Sequence, residues 1–244
     1  MSRLTLPLAH LSVALLLAAL GAGCVKAEVA PPAVSVPEPK PTVEAIDTGP
    51  TSYEGDIGGL SQEDVEEQFQ ALRPRLIDCV RRASDRLTFI GGRVSLRMRI
   101  DRKGNVRWAY LNDTTLGDRD SERCVLQVVQ SRTWPRPLSG EGLAETSFDV
   151  DPAESPVAWP KYKTLALAQR ASAATRKCRK GFAGNFHATA YVGAKGEVLA
   201  AGVSPPDERG EEASDCIAEA LRDLRVGGLV ADQRAAAKVS FRIP

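Results

Sequence analysis

The sequence predicts an α+β fold built from two tandem small domains, and three observations support this prediction. The 244 residues are 43% hydrophobic and 26% charged, which is typical of globular chains of one or two domains. A segment near the middle of the chain recurs 92 residues later. In both copies the apolar spacing changes between helical and strand periods in the order helix–strand–strand–helix–strand.

The repeat is recognisable because its matched positions are glycines, cysteines and apolar residues. At an offset of 92 residues the pairs are Gly92 with Gly184, Ile100 with Val192, Gly104 with Gly196, and Cys124 with Cys216. One further residue of slip brings Phe148 onto Phe241. We interpret this pattern as an internal duplication, with domains over residues 61–150 and 161–244 and a proline-containing linker over residues 151–160.

The first predicted helix of copy one begins after Ser61. Ser61 can cap it, and Asp64 stands where a capping box has its acidic residue. Apolar residues then follow helical spacing from Val65 to Val80. We expect Pro74 to kink or restart this helix, because proline removes a backbone donor.

The rest of copy one is predicted as two strands, a helix and a third strand. Apolar and polar residues alternate strictly over residues 93–100, which predicts a half-buried strand. Gly104 suits the positive φ of the following turn. The second strand covers residues 106–111, Ser121 caps the second helix, Trp134 ends it, and the last strand covers residues 143–150.

Copy two repeats this order with smaller side chains. Its first helix, near residues 162–178, is rich in alanine. A strand begins at Phe186, with His187 and Tyr191 predicted to point to solvent. The second helix has an apolar stripe from Ile217 to Leu224, and the last strand runs from Lys238 to Ile243.

The first 23 residues are predicted to be a signal peptide. One arginine precedes an apolar run over residues 11–20, about half the length needed to span a bilayer. The small residues before Cys24 resemble a bacterial lipobox, although Gly21 stands where the family has a leucine-like residue. The resemblance implies cleavage before Cys24, acylation of Cys24, and, with Val25 following, sorting to the outer membrane. The alternative is ordinary signal cleavage with Cys24 unmodified.

Residues 24–60 are predicted to form a disordered, proline-rich tether. Residues 25–60 contain six prolines, six acidic residues and two lysines. Such a segment cannot bury enough apolar surface to offset the entropy of ordering it. We interpret it as a spacer that gives the domains reach from the membrane.

The other four cysteines are predicted to form one disulfide in each copy. None belongs to a C-x-x-C pair, so a zinc or thioredoxin-like site is not supported, and an exported chain meets an oxidising compartment. In each copy one cysteine ends the first helix and the other lies in the second. We therefore predict the bridges Cys79–Cys124 and Cys178–Cys216. The alternative is four reduced, buried cysteines.

Several of these residues together resemble the TonB C-terminal-like domain family, in the variant called the AgmX/PglI C-terminal domain. The pattern runs through Pro74, Cys79, Gly92, Gly104, Cys124, Trp134 and Phe148. Copy one matches along nearly all of residues 61–150, whereas copy two lacks the Trp-Pro at its helix end. The resemblance implies a three-stranded antiparallel sheet with two helices on one face. In TonB this domain binds an outer-membrane transporter by adding a strand to its sheet.

The residue inventory gives no support for an enzyme, a cofactor or a metal site. There are only two histidines, His10 and His187, and no nucleophile-elbow or phosphate-loop motif. The acids Asp118, Asp120 and Glu122 lack the rest of a calcium loop, and we interpret Asp120 and Glu122 as helix N-terminal acids. A net charge of +1 gives no reason to propose nucleic-acid binding.

One surface stands out as a possible binding face. Four arginines are predicted on the solvent side of the first sheet: Arg93, Arg97, Arg99 and Arg107. They could bind an acidic lipid or polysaccharide, although 14 acids against 15 bases in residues 61–150 favour an ordinary solvated face. Copy two is more cationic, with 14 bases against nine acids.

These features together predict a non-enzymatic, lipid-anchored scaffold protein of the cell envelope that faces the periplasm. Its expected partner is an envelope protein bound by sheet-edge addition, with a possible link to gliding motility or envelope transport. The alternative is a lipoprotein that binds peptidoglycan or another polysaccharide. The oligomeric state, the partner and the process are left open by the sequence.

Overall fold

The structure is a computed structural model, and it describes residues 59–227 and 236–244. The predicted signal peptide, Cys24 and almost all of the predicted tether lie outside the described residues. The fold is mixed α+β, with four helices and two sheets in the described part of the chain.

Copy one forms five elements in the predicted order. They are α1 (Gln62–Ser84), β1 (Gly92–Ile100), β2 (Val106–Thr114), α2 (Arg119–Gln130) and β3 (Gly142–Val150). Helix α1 begins as predicted, because the Ser61 hydroxyl accepts a hydrogen bond from the Asp64 amide at 3.2 Å. The helix continues through Pro74 as one element, so the predicted restart does not occur.

The first sheet is antiparallel, with strand order β2–β1–β3. Val94, Leu96, Met98 and Ile100 of β1 are fully buried, as their alternation predicts, and share one core with both helices. Gly104 lies in the turn between β1 and β2 and has a φ of 87°. A residue with a side chain would be strained in this conformation.

Copy two adds one strand to the predicted pattern. Its elements are β4 (Val157–Ala158), α3 (Lys161–Ala174), β5 (Phe186–Gly193), β6 (Val198–Ser204), α4 (Glu211–Arg222) and β7 (Ala236–Ile243). The sheet has the order β4–β7–β5–β6, in which β7, β5 and β6 are antiparallel neighbours. The core contains many alanines, and α3 buries only Leu167 and Ala171 fully.

Strand β4 comes from the segment predicted to be a linker. Val157 and Ala158 pair in parallel with Ala237 and Lys238 of β7. Trp159, the next residue, is 9% exposed and belongs to the core of copy two. The segment between the copies is therefore part of the second sheet and its core.

The two copies pack against each other, and all described residues belong to one compact unit. Strand β6 lies beside β2, and α2 contacts both β6 and α4. Tyr191, Ala200 and Ala236 of the second sheet belong to the core of copy one. The prediction that Tyr191 points to solvent is therefore wrong: His187 is exposed, but Thr189 and Tyr191 are buried because copy one covers that face.

The start of α2 also differs from its prediction. The helix begins at Arg119 with Asp118 as its cap, rather than at Ser121. The Asp118 carboxylate accepts from the Ser121 amide at 3.1 Å and from the Ser121 hydroxyl at 2.6 Å. Aspartate caps as well as serine, and its position here lets Ser121 enter the first turn.

Candidate functional site

The outer edge of β3 is an unpaired sheet edge among the described residues. Strand β3 is the last strand of the first sheet and pairs only with β1 within that sheet. It extends for nine residues, Gly142–Val150, and all nine are in register with β1. An edge of this length presents a row of backbone donors and acceptors that another extended segment can satisfy.

A shallow groove runs between this edge and α1. Its apolar floor is formed by Phe69, Leu76 and Phe148, and its rim carries polar side chains: Glu66, Gln70, Arg73, Thr146 and Ser147. Phe69 and Phe148 are 5% and 6% exposed, so the floor is rigid core rather than mobile surface. Backbone groups beside an apolar slot are the two components of strand-addition sites.

Copy two provides an internal comparison for this edge. The sequence repeat aligns β7 with β3, since Ser240 and Phe241 correspond to Ser147 and Phe148. The edge of β7 carries β4, an extended segment whose following residue Trp159 packs against α3. The equivalent edge of copy one has no such strand among the described residues.

The predicted arginine face carries matching acids. Arg97 donates to Glu145 at 2.7 and 2.9 Å, and Arg99 lies 3.4 Å from Glu141. Arg107 lies 3.7 Å from the same Glu141, and Arg93 lies 4.0 Å from Asp149. Glu145 and Asp149 come from β3 and Glu141 immediately precedes it, and sequence spacing alone did not place these acids opposite the arginines. Four arginines therefore meet three carboxylates, which leaves this face weakly rather than strongly cationic.

Trp108 and Tyr110 lie on the same outer face as these arginines. Trp108 is half-buried, with the Arg99 guanidinium 5.4 Å from its ring centre, and Tyr110 is 5% exposed. Burial raises the pKa of Tyr110, although the neighbouring Arg97 opposes this shift.

Both disulfides join the residues expected from the sequence. Cys79 is bonded to Cys124, and Cys178 to Cys216. Cys79 lies in α1 and is bridged to α2, whereas α3 ends at Ala174, short of its predicted end, so that Cys178 lies in the turn after α3 and is bridged to α4. Cys79 is buried and Cys124 half-buried, whereas Cys178 is half-buried and Cys216 exposed. The bridge of copy two is therefore the more accessible one.

A buried charge cluster lies where the copies meet. The Arg119 side chain is 6% exposed and lies 2.5 Å from Glu211 and 2.6 Å from Asp215, both in α4 of copy two. Glu122, fully buried, accepts from the Val203 amide of β6 at 3.0 Å. Its other carboxyl oxygen has no hydrogen-bond partner in the described part of the chain.

The environment of this cluster changes the protonation of its acids. Burial raises the pKa of Glu122 to about 8, although Arg119 and the Val203 amide favour the charged form. Burial also raises the pKa of Glu211, against the attraction of Arg119. The interpretation of Glu122 as an ordinary helix N-terminal acid is therefore incomplete: it lies in the first turn of α2, but in a dry interface.

A second set of contacts joins the copies at Gly91. The Tyr191 hydroxyl donates to the Gly91 carbonyl at 3.1 Å and accepts from the Gly91 amide at 3.2 Å. Lys238 donates to the same carbonyl at 2.6 Å. Burial lowers the pKa of Lys238 and raises that of Tyr191 to about 12. These polar contacts fix how the second sheet lies on copy one.

Comparison with protein-family models, curated proteins and solved structures finds no match for this chain. The candidate site therefore depends on the geometry of the chain itself and on its internal repeat.

Two surveys of the described residues bear on chemistry and membrane association. Within residues 59–227 and 236–244, no group of three or more histidine, cysteine or acidic side chains could hold a metal ion. Over the same residues, no helix has both the length and the apolar character needed to cross a bilayer.

The sequence predicted only part of the arrangement at the two sheet edges. It predicted sheet-edge binding from a resemblance, but it missed that β4 already occupies one of the two edges. Val157 and Ala158 lie between Pro156 and Pro160, so the segment has the composition of a linker. A clue was Trp159, because a tryptophan is unusual in a solvated linker.

Proposed function

We propose that this protein is a lipid-anchored, non-enzymatic interaction module of the cell envelope that faces the periplasm from the outer membrane. It binds an extended segment of an envelope protein at the edge of β3. The single observation that carries the proposal is the nine-residue edge of β3, which pairs with no strand of the described residues on its outer side and lies beside an apolar groove. The lipobox-like residues before Cys24 and the two disulfides support the proposed compartment.

The occupied edge of copy two suggests how the partner lies. Strand β4 runs parallel to β7, and the aromatic side chain that follows it enters the core beneath α3. A partner on β3 adopts the same orientation and directs one apolar side chain onto Phe69 and Phe148. This arrangement gives affinity through backbone bonds and selectivity through one pocket.

The test is photo-crosslinking in intact envelopes. A crosslinking amino acid at Gln70, which is exposed on the groove rim, is expected to capture a discrete protein. The matched control is Ala71, which is also exposed but lies 100° further around α1. Adducts at Gln70 and not at Ala71 support the proposal. Equal adducts at both sites, or none at Gln70, contradict it.

A second experiment separates strand addition from binding on the helix alone. Gln70→Trp is expected to fill the groove and abolish the adduct of a crosslinker placed at Ser147 on β3. Because Gln70 is exposed, the substitution leaves the fold intact, which a urea unfolding curve checks. Persistence of the Ser147 adduct would mean that the partner does not use the groove.

The peptidoglycan- or polysaccharide-binding alternative receives no support from the arginine face. Each of the four arginines lies within 4.0 Å of a carboxylate of β3 or of the loop preceding it. Salt-insensitive sedimentation with peptidoglycan, or sedimentation unchanged by reversal of Arg93 and Arg99 to Glu, would exclude this face as a glycan site.

A further inference from the structure

Helix α3 has an unusual outward face. Leu167 and Ala171 point into the core of copy two, with exposures of 2% and 0%. Positions on the opposite side of the helix, at 100° per residue, carry no charge, and all but Gln169 are apolar: Tyr162, Leu165, Ala166, Gln169 and Ala173. Tyr162 is 81% exposed and Leu165 is 69% exposed. These are two of the few large apolar side chains exposed in the described part of the chain.

The charged residues around this face in the sequence are all basic. Residues 155–196 contain no acidic residue and eight basic ones: Lys161, Lys163, Arg170, Arg176, Lys177, Arg179, Lys180 and Lys195. Arg170 flanks the apolar strip, and Arg176, Lys177 and Lys180 follow its C-terminal end. Within residues 59–227 and 236–244, none of these last four makes an ion pair with a carboxylate.

We propose that the outward face of α3 lies on the surface of an anionic lipid bilayer. Tyr162 and Leu165 enter the headgroup layer, and the flanking cations contact lipid phosphates. The apolar strip suits the boundary between headgroups and acyl chains, and the bases that border it suit the anionic headgroups. A polysaccharide would use the bases but would leave Leu165 in water. The inference is independent of strand addition at β3.

The face differs from the arginine face of the first sheet. There, carboxylates of copy one accompany every arginine, so little charge is left for a partner. On α3 the nearest residues in sequence offer no acid over 42 positions. Juxtamembrane bases of this kind attract anionic lipid within about a Debye length of roughly 10 Å.

The test places a local reporter on the face. In the full chain, Leu165→Trp adds an indole at an exposed position, and the unsubstituted chain supplies the background of the three native tryptophans. Vesicles contain brominated acyl chains in either phosphatidylcholine alone or a mixture with about one third phosphatidylglycerol. Because the reporter is local, it distinguishes contact by α3 from attachment through any other part of the chain.

The proposal expects bromine quenching of the new tryptophan on anionic vesicles and little on neutral ones. About 0.5 M salt should remove the quenching, because it shortens the screening length to a few ångströms. The triple reversal Arg176→Glu, Lys177→Glu, Lys180→Glu should raise the lipid concentration needed for half-maximal quenching at least about tenfold. The matched control makes the same charge change at three exposed bases of copy one: Arg102, Lys103 and Arg136.

Three outcomes would overturn the proposal. They are equal quenching on neutral and anionic vesicles, an equal loss from the control reversal, and no quenching on either vesicle. All substituted residues are exposed, so the variants are expected to fold, and circular dichroism with a urea curve verifies this.

Discussion

At the scale of single residues, Glu122 is the most unusual side chain in the described part of the protein. It is completely buried between the copies, close to Arg119, and the carboxyls of Asp118 and Glu211 also act on it. One of its oxygens lacks a hydrogen-bond partner in the described part of the chain. A buried carboxyl in this setting is held in its neutral form near pH 7, because ionising it would place an incompletely solvated charge in the interface.

This environment predicts a pH-dependent stability. The pKa of Glu122 is about 8 in the folded protein and near its ordinary value of 4.5 when unfolded. The stabilisation is therefore complete below pH 4.5 and is lost as the pH rises towards 8, by about 1 kcal/mol per pH unit. Urea unfolding from pH 5 to 8 should show this loss relative to Glu122→Gln, which does not titrate. Parallel pH profiles for the two proteins would contradict the assignment.

A substitution at Gly202 tests the packing of the same interface rather than its charges. A Cβ at this residue would lie 1.9 Å from a carboxyl oxygen of Glu122 and 2.9 Å from the Asp118 amide nitrogen. Gly202→Ala is expected to cost about 1–3 kcal/mol of unfolding free energy by overpacking. Gly227→Ala is the control, because its Cβ would meet nothing within 4 Å. Equal effects of the two substitutions in urea unfolding would refute the prediction.

At the scale of elements, α3 is held by few contacts. It buries only Leu167 and Ala171 fully, and Trp159 from the preceding segment and the bridge from Cys178 to Cys216 add to its attachment. In copy one, by contrast, α1 buries seven residues over its 23. The covalent link therefore carries a larger share of helix attachment in copy two.

The two disulfides should respond differently to a limiting thiol reductant. Exposed Cys216 is open to attack, whereas Cys79 is buried, so Cys178–Cys216 is expected to be reduced first. Its loss should remove hydrogen-exchange protection from α3 and lower the unfolding free energy by about 2–4 kcal/mol. Alkylation followed by mass mapping identifies the reduced pair. Earlier or simultaneous reduction of Cys79–Cys124 would contradict this ranking.

The elements themselves were largely predictable from the sequence, for a physical reason. Alternation over residues 93–100 and helical spacing over residues 65–80 reflect which side of each element is buried, and the structure has β1 and α1 at these places. What could not be predicted is the covering of a second face. Tyr191 alternates with buried residues in either case, and only the packing of the copies shows that it is buried too.

At the scale of the whole molecule, Arg119 connects the copies. Arg119 lies in copy one, and its guanidinium meets Glu211 and Asp215 of copy two while almost fully buried. The sequence around Arg119 did not indicate this role. An arginine in the first turn of a helix is unfavourable for the helix dipole, and at such a position it is ordinarily expected on the surface. The pairing depends on a partner about 90 residues away, which no local pattern specifies.

This connection predicts cooperative unfolding of both copies. Calorimetry should give one transition whose calorimetric and van't Hoff enthalpies agree. Arg119→Ala leaves partly buried Glu211 without its cation, which should cost about 3 kcal/mol and can separate the transition into two. Arg123→Ala, half-exposed on the same helix, is the control and should cost about 0.5 kcal/mol. Two transitions in the unsubstituted protein would show that the copies unfold independently.

The strand β4 has a consequence for the number of partners. A duplicated binding domain ordinarily doubles the valency of a chain and allows it to crosslink its targets. Here the chain's own Val157 and Ala158 lie along the edge of β7, while the matching edge of β3 has no strand from the described residues. With one edge filled internally, the proposed function predicts a stoichiometry of one extended segment per chain. Under this proposal the second copy serves as a rigid support for the first and adds no second binding edge.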